Sequence, residues 1–457
     1  MGGITAELDD IQGNILRSYG FPFARYEVIR IVQSDGARRI LERLLDQRLI
    51  TTATTWDPSS KPVATLNVFF SWTGLAAMGV PQSSLDSFPE EFRQGMAGRA
   101  GILRDTGRNA PEMWEFGNDA DRNHVFFAVY GRTLADRDRM LEKLRGELTA
   151  AGPAVEVTHR LDAAMLANRQ EHFGFADGIG QPAIEGSGAP FYPGEGTLQP
   201  DGTWAPLKAG EFVLGWPGET GHPVAMPEPA TLARNGSFLV YRKLEQHVPA
   251  FRAFLATEAE RLYGEASAPN IELLAAKLVG RWRSGCPLPL SPRADDAALA
   301  VDWARNNDFG YAADPDGATC PYGSHIRRMN PRDGRAGDVV VRTHRIVRRG
   351  LPFGTWLEGD ADDGQARGVA FMAINASIRY QFEFLQTEWG NNGEFANLSS
   401  IDIDPFAGEP RAGSRFRIPE PQVRPKNIFN LPNFVTLRGG GYYFIPSITA
   451  LRFIAGR

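Results

Sequence analysis

His124-Val125-Phe126-Phe127-Ala128-Val129-Tyr130 is a short apolar run rich in β-branched and aromatic residues. It reads as a strand. Behind it, residues 134–148 place Met140, Leu141, Leu144 and Leu148 on one helical face, and residues 154–160 alternate as a further strand. The same order precedes it. Residues 26–32 form a β-branched run, residues 36–49 carry Ile40, Leu41, Leu44, Leu45 and Leu49 at helical spacing, and residues 63–72 read as a strand. A short helix from Thr73 to Gly79 follows. The order β-α-β, then β-α-β, is the split pattern of a ferredoxin-like sandwich.

The order returns later in the chain. Residues 237–242 are a strand, and residues 247–263 a helix with Phe251, Phe254, Leu255 and Leu262 on one stripe. Strands are expected through Val339, Val340 and Val341, at Ile346-Val347, and over residues 368–374. A helix over 376–389 carries Ile378, Phe382, Leu385 and Trp389, and residues 442–448 close the second sheet. The fold class is therefore α+β, with two ferredoxin-like domains of antiparallel strands and peripheral helices. The expected division is residues 1–173, an irregular Gly- and Pro-rich connector over 174–236, and residues 237–457. Irregular stretches at 264–337 and 390–431 interrupt the later domain.

Composition narrows the chemistry. Two cysteines cannot build a Cys₄ zinc site or an iron–sulfur cluster within one chain, and cannot staple a secreted scaffold. A net charge of −5 over 457 residues argues against nucleic acid as the main partner. No apolar run reaches the length of a membrane span, and the first ten residues lack the pattern of a secretory signal, so a cytosolic protein is expected. One histidine can still hold one cofactor.

Three segments carry possible chemistry. His172-Phe173-Gly174-Phe175-Ala176-Asp177-Gly178-Ile179-Gly180-Gln181-Pro182 brackets Asp177 with glycines, which permit close backbone approach to a flat ligand; an Asx-turn in a linker is the bland alternative. Cys320-Pro321-Tyr322-Gly323-Ser324-His325-Ile326-Arg327-Arg328-Met329-Asn330-Pro331-Arg332 follows one histidine with three arginines. That suits a haem, with an axial imidazole and guanidinium groups for its two carboxylates. A solvated basic helix is the alternative; zinc would want ligands beyond Cys320 and His325. Arg345-Ile346-Val347-Arg348-Arg349-Gly350-Leu351-Pro352-Phe353-Gly354 places an arginine at a strand end, in a pocket or in solvent.

Together these segments resemble the dye-decolourising peroxidases, a haem b family of the dimeric α+β barrel type. Gly174-Phe175-Ala176-Asp177-Gly178 matches its Gly-x-x-Asp-Gly signature. Cys320–Arg332 is similar to the stretch with its proximal histidine, and Ile346-Val347-Arg348 to that with its distal arginine. Ile11-Gln12-Gly13-Asn14-Ile15-Leu16, Ser71-Trp72-Thr73-Gly74-Leu75 and Tyr443-Phe444-Ile445-Pro446-Ser447 also fit, so the likeness runs from about residue 10 to the C-terminus and is closest to the longer members. The resemblance implies haem b, one per chain, with His325 as iron ligand, Arg327 and Arg332 at its carboxylates and Gly178 against it. Asp177 is then the distal acid–base and Arg348 its cationic neighbour, since a guanidinium beside a carboxylate favours its proton-accepting form. His325 needs an acid on its other nitrogen, to be found among Glu383, Glu394, Asp402, Asp404 and Glu409. His172 is a candidate for the distal side, and Trp389 is core or, less favoured, a surface electron carrier.

The implied partners are hydrogen peroxide and bulky aromatic reductants such as dyes or phenolics, with an acidic optimum, in a monomer or homodimer. The rivals are a haem carrier or iron-releasing protein of the same fold, and a haem-free scaffold.

Overall fold

A computed structural model describes residues 3–334, 338–394 and 398–456. The strands in chain order are β1 (Phe23–Ile31), β2 (Ala64–Phe70), β3 (Val125–Gly131), β4 (Val155–Ala164), the minor pair β5 (Thr197–Leu198) and β6 (Trp204–Ala205), β7 (Ser237–Gln246), β8 (Val347–Arg348), β9 (Leu351–Phe353), β10 (Gly368–Asn375), the hairpin β11 (Arg415–Ile418) and β12 (Lys426–Phe429), and β13 (Val435–Ile445).

One nine-stranded sheet runs β4-β1-β3-β2-β13-β7-β10-β8, with β9 also on β10. Its named pairings are antiparallel. Each half has the ferredoxin-like order, last-first-third-second: β4-β1-β3-β2, then β13-β7-β10-β8. The expected pair of ferredoxin-like units is therefore present, but joined edge to edge in one sheet. The ends of that sheet, β4 and β9, approach without pairing, so it curls without closing into a barrel.

The seam is β2 against β13, registered at Phe70 and Phe444. The buried side chain of Gln12 fills the rest. Its Nε2 donates to Val68 O and Pro446 O at 2.8 Å each, and its Oε1 accepts from Val68 N at 3.0 Å. One amide side chain thus stands in for a missing stretch of strand, satisfying an edge that burial would leave unpaired.

Alternation sorts the core. Val68, Phe70, Phe127 and Val129 point toward Leu41 and Leu44 of the helix Ser34–Asp46 and Leu141 and Leu144 of the helix Leu134–Ala150. Phe69, Phe126, Ala128 and Tyr130 point the other way, into an aromatic cluster with Tyr26, Tyr241 and Tyr443. Because both faces are covered, β2 and β3 are buried along their whole length, which is why their sequences are largely apolar on both faces, Thr65 and Asn67 of β2 apart.

Two expectations change. The stretch through Val339–Val341 is helical, within Asp338–Thr343. β-Branched residues favour a half-buried pleated surface, but the place beside β10 is already taken by β8 and β9. The segment after β10 is helical as expected, yet as π-helix, Ile378–Glu383 and Leu385–Gly390. Ile378, Phe382, Leu385 and Trp389 nevertheless form its buried stripe. No helix among the described residues is long and apolar enough to cross a membrane.

Candidate active site

Arg242, Leu244 and Gln246 on β7, Val369 and Phe371 on β10, and Val435 and Leu437 on β13 occupy alternate positions. They form the sheet floor of a cavity of about 400 Å³. Phe382 and Leu385 of the π-helical segment, with loops near residues 103–109, 171–180, 325–332 and 404–409, enclose it. Its size is that of a cofactor site and its walls are largely apolar.

Asp177 and Arg348 meet at this cavity although they are far apart in sequence. Arg348 Nη1 lies 3.4 Å from Asp177 Oδ1. The arginine is fixed by Nη2 donating to Ile179 O at 2.7 Å and by its backbone N–H donating to Gln181 Oε1 at 3.0 Å. It sits on β8, opposite Ala373 of β10. Gly178, at φ +81°, turns the chain after Asp177 so that its own N–H donates to Asp177 Oδ1 at 2.6 Å. Gly178 itself is not one of the cavity-lining residues, so its expected direct contact with the cofactor becomes a turn-forming role. Asp177 and Arg348 both line the cavity.

His325 is the only histidine lining the cavity among the described residues. It opens a one-turn helix, His325–Met329, behind Ser324, whose hydroxyl donates to Lys277 O at 2.5 Å. His325 Nδ1 lies 2.9 Å from Asp404 Oδ2 and 3.1 Å from Oδ1. Asp404 is fully buried and its Oδ1 accepts the backbone N–H groups of Phe406 and Ala407 at 2.8 Å each. Burial alone lowers the His325 value, but the charge and hydrogen bond of Asp404 outweigh it and the net shift is upward. Burial likewise raises Asp404, and His325 reverses that to a net fall. The pair thus holds a proton between Nδ1 and the Asp404 carboxylate. With Nδ1 committed, Nε2 is the nitrogen available to a metal. Of the five candidate acids, Asp404 is the one that meets His325.

The expected carboxylate anchors divide. Arg332 lines the cavity; its Nη1 donates to Asn307 O and Phe309 O at 2.9 Å each. Arg327 does not line it. It is buried against Asp314, with Nη1 to Oδ2 at 2.8 Å, and lies over the Tyr322 ring. The helical turn carries adjacent residues to different sides, so only some arginines of the segment can face the cofactor. Arg328 also turns away, donating through Nη2 to Asn392 O at 2.6 Å. Sequence reasoning missed Arg345 and Arg281, both buried and lining the cavity. Burial, with Arg332 and Arg348 nearby, pushes Arg345 down to about 9, and burial beside Arg332 does the same to Arg281. A guanidinium stays charged, so both are buried cations in the cavity wall. Arg345 stood within the quoted arginine segment; nothing in the sequence singled out Arg281.

His172 is buried away from the cavity, with Nε2 at 2.8 Å from Phe353 O, so it does not take the distal position considered for it. Trp389 is buried among Val341, Leu385 and the ring of His344. Cys286 and Cys320 are free thiols, and no cluster of three or more His, Cys, Asp or Glu ligands forms among the described residues. A protein-only zinc centre at His325 therefore has no support.

The donor set fits a haem: an imidazole braced by a carboxylate, apolar walls, buried arginines without enough acids to neutralise them, and an acid–arginine pair facing the same space. The comparisons agree. Residues 10–165 match the DyP dimeric alpha+beta barrel domain and residues 218–402 the Dyp-type peroxidase C-terminal model. The chain is 34% identical over 441 residues to a dye-decolorizing peroxidase of Mycena epipterygia, covering 89% of this chain and 79% of that protein. It is 31% identical over 460 residues to one of Exidia glandulosa, covering 97% and 86%. A solved dye-decolorizing peroxidase in complex with 2,6-dimethoxyphenol superposes with a TM-score of 0.83 at 29% identity, covering 98% of this chain and 99% of that one. The chain belongs to the dye-decolourising peroxidases, a haem-dependent family. It is an enzyme, a peroxidase of the dye-decolourising type.

Proposed function

We propose that the cavity takes one haem b per chain, with His325 as axial ligand, Arg332 and Arg345 at its carboxylates, and Asp177 and Arg348 as the groups that act on hydrogen peroxide. The reducing substrates are bulky aromatics, dyes and phenolics of the 2,6-dimethoxyphenol class, with an acidic optimum. The observation that carries this reading is the meeting of the Asp177–Arg348 pair with the Asp404-braced His325 in one cavity. A carrier or iron-releasing protein would need no distal acid, so that reading is not favoured.

When bound, haem iron supplies the site that accepts the oxidising equivalents of peroxide. The chain supplies the proton movements. Asp177 Oδ1 is engaged by Gly178 N–H and Arg348, leaving Oδ2 to take the proton from peroxide. The same oxygen returns that proton to the departing oxygen, which leaves as water. Arg348, locked by Ile179 O and Gln181, offers its charge to the negative peroxide without reorganising. Asp404 holds the His325 ring in one tautomer and orientation.

The proposed division at residues 173 and 237 is supported by the end of β4 at Ala164 and the start of β7 at Ser237. A monomer or homodimer is proposed, to be read by light scattering. The deciding experiment is an absorption spectrum of haem-loaded protein before and after peroxide, followed by oxidation of 2,6-dimethoxyphenol at acid pH. A Soret band that responds to peroxide and turnover of the phenol are expected. No Soret band after haem addition overturns the haem reading, and a band unaffected by peroxide overturns the peroxidase one.

A further inference from the structure

The segment that delivers Asp177 has no regular secondary structure, yet it is held from within. Residues 170–177 form a tight loop closed by an antiparallel bridge between Gln170 and Ala176. Its interior is filled by a carboxylate. Glu171 Oε2 accepts the N–H of Phe173 at 2.9 Å, and Oε1 accepts the N–H of Phe175 at 2.9 Å. Gln246, at the end of β7, donates its side-chain amide to Oε2 as well. The Glu171 backbone closes the same loop, its N–H donating to Phe175 O at 2.9 Å and its carbonyl accepting from Gly174 N at 2.8 Å.

We propose that Glu171 is a positioning residue for Asp177, a carboxylate clamp that fixes the loop so that the Asp177 side chain stands against Arg348. The inference deepens the proposed function and rests on Asp177 being the proton carrier there.

Three features support it. Glu171 ties the loop to the sheet floor through Gln246, which lines the same cavity. Phe173 and Phe175, whose N–H groups it holds, are buried and pack on Phe251, so the clamp and the apolar anchors act on the same two residues. From Phe175 to Asp177 only Ala176 intervenes, and Ala176 N–H is itself fixed by Arg283 O at 2.9 Å. Burial raises the Glu171 carboxyl against its hydrogen bonds, with the charge of Asp177 a smaller contribution in the same direction. A carboxylate kept in so costly a place is worth most where a neighbouring group must not move.

The neutral isostere breaks the clamp. Glu171→Gln sets an amide NH₂ against at least one backbone N–H, so one loop donor loses its acceptor. The test uses haem-loaded protein, Glu171→Gln, and Gln246→Leu as a second, milder variant. Amide hydrogen exchange at Phe173 and Phe175 is expected to quicken by about tenfold or more in Glu171→Gln, as for one lost buried hydrogen bond. The rate constant for the reaction with hydrogen peroxide is expected to fall by about tenfold or more, because small misplacement of a reacting group is costly. The reducing half-reaction with 2,6-dimethoxyphenol is expected to stay within about twofold, since it does not use Asp177 as a proton carrier. Gln246→Leu should give the same pattern at about two- to threefold, having lost one donor and kept both backbone bonds.

Faster exchange with an unchanged peroxide step overturns the proposal. So does an equal loss in the peroxide step and the reducing step, which marks a merely structural residue. Unchanged exchange in both variants overturns the clamp itself. Wild-type protein that binds haem but ignores peroxide instead removes the underlying peroxidase reading, an outcome the exchange measurement distinguishes because it does not depend on turnover.

Discussion

Asp404 holds His325 by both carboxylate oxygens, at 2.9 and 3.1 Å from Nδ1. One of those oxygens, Oδ1, also takes the N–H groups of Phe406 and Ala407. The carboxylate is thus aimed by its own loop before it aims the ring, and the ring has one nitrogen left for a ligand.

Asp404→Asn keeps an acceptor for the loop but turns an NH₂ toward Nδ1. The imidazole must then accept at Nδ1 and carry its proton on Nε2, the wrong tautomer for a metal. Haem affinity should fall by about 10- to 100-fold in a haem titration of the apoprotein. Affinity equal to wild type would remove Asp404 from the site.

His325→Ala should leave a folded chain that no longer holds haem as a defined ligand, seen as loss of the normal Soret band. Normal occupancy with an unchanged spectrum would show that another group ligates the iron.

Arg348→Leu removes the charge that faces peroxide and frees Asp177 from its partner. Stopped-flow mixing with hydrogen peroxide should show a fall of roughly 10²-fold, the scale of a lost preorganised donor. Asp177→Asn should slow the same step by a comparable factor, about 10²-fold or more, through loss of the proton carrier.

Arg345 and Arg327 should separate cleanly. Arg345→Leu removes a cavity-lining cation and should weaken haem binding by roughly tenfold, the scale of one charge-assisted hydrogen bond. Arg327→Leu strands Asp314 and should destabilise the fold by about 3–5 kcal/mol in denaturant unfolding. Haem affinity of its folded fraction should stay near wild type, since Arg327 does not reach the cavity.

Glu211 predicts a pH effect away from the site. Burial pushes its carboxyl up to about 7 from an ordinary 4.5, although Glu219 N–H donates to it. The folded state therefore prefers the neutral acid. Stability from this group is full below about 4.5 and lost as pH rises through about 7. Glu211→Gln should flatten the fall in melting temperature across that window, and parallel curves for the two proteins would refute the shift.

The fold was legible because both halves write the same alternation of apolar strands and amphipathic helices, and because β2 and β3 are covered on both faces. The valine run at 339–341 misled because β-propensity describes a surface to be fitted, and that surface was already occupied. At the site, Asp177, His325 and Arg348 stood in recognisable segments. Asp404 was one of five acids in an irregular loop, where no period says which way a side chain points. Arg327 turned away because neighbours on one turn face different directions, and Arg345 went unnoticed because burial of a guanidinium leaves no mark in the sequence. Glu171 escaped notice because its partners are backbone groups, which every sequence possesses.

The Gln12 seam has a consequence for how the protein is made. Gln12 reaches Pro446, and the backbone of Asp10 receives Ile448 N–H at 2.8 Å. Gln12 thus waits for a partner 434 residues further along the chain before that bond can form. Until then β2 is an open edge on a newly made half-molecule. A transcript cut short before β13 would not yield a smaller peroxidase. It would yield a chain with an unsealed edge, prey to aggregation and to proteases.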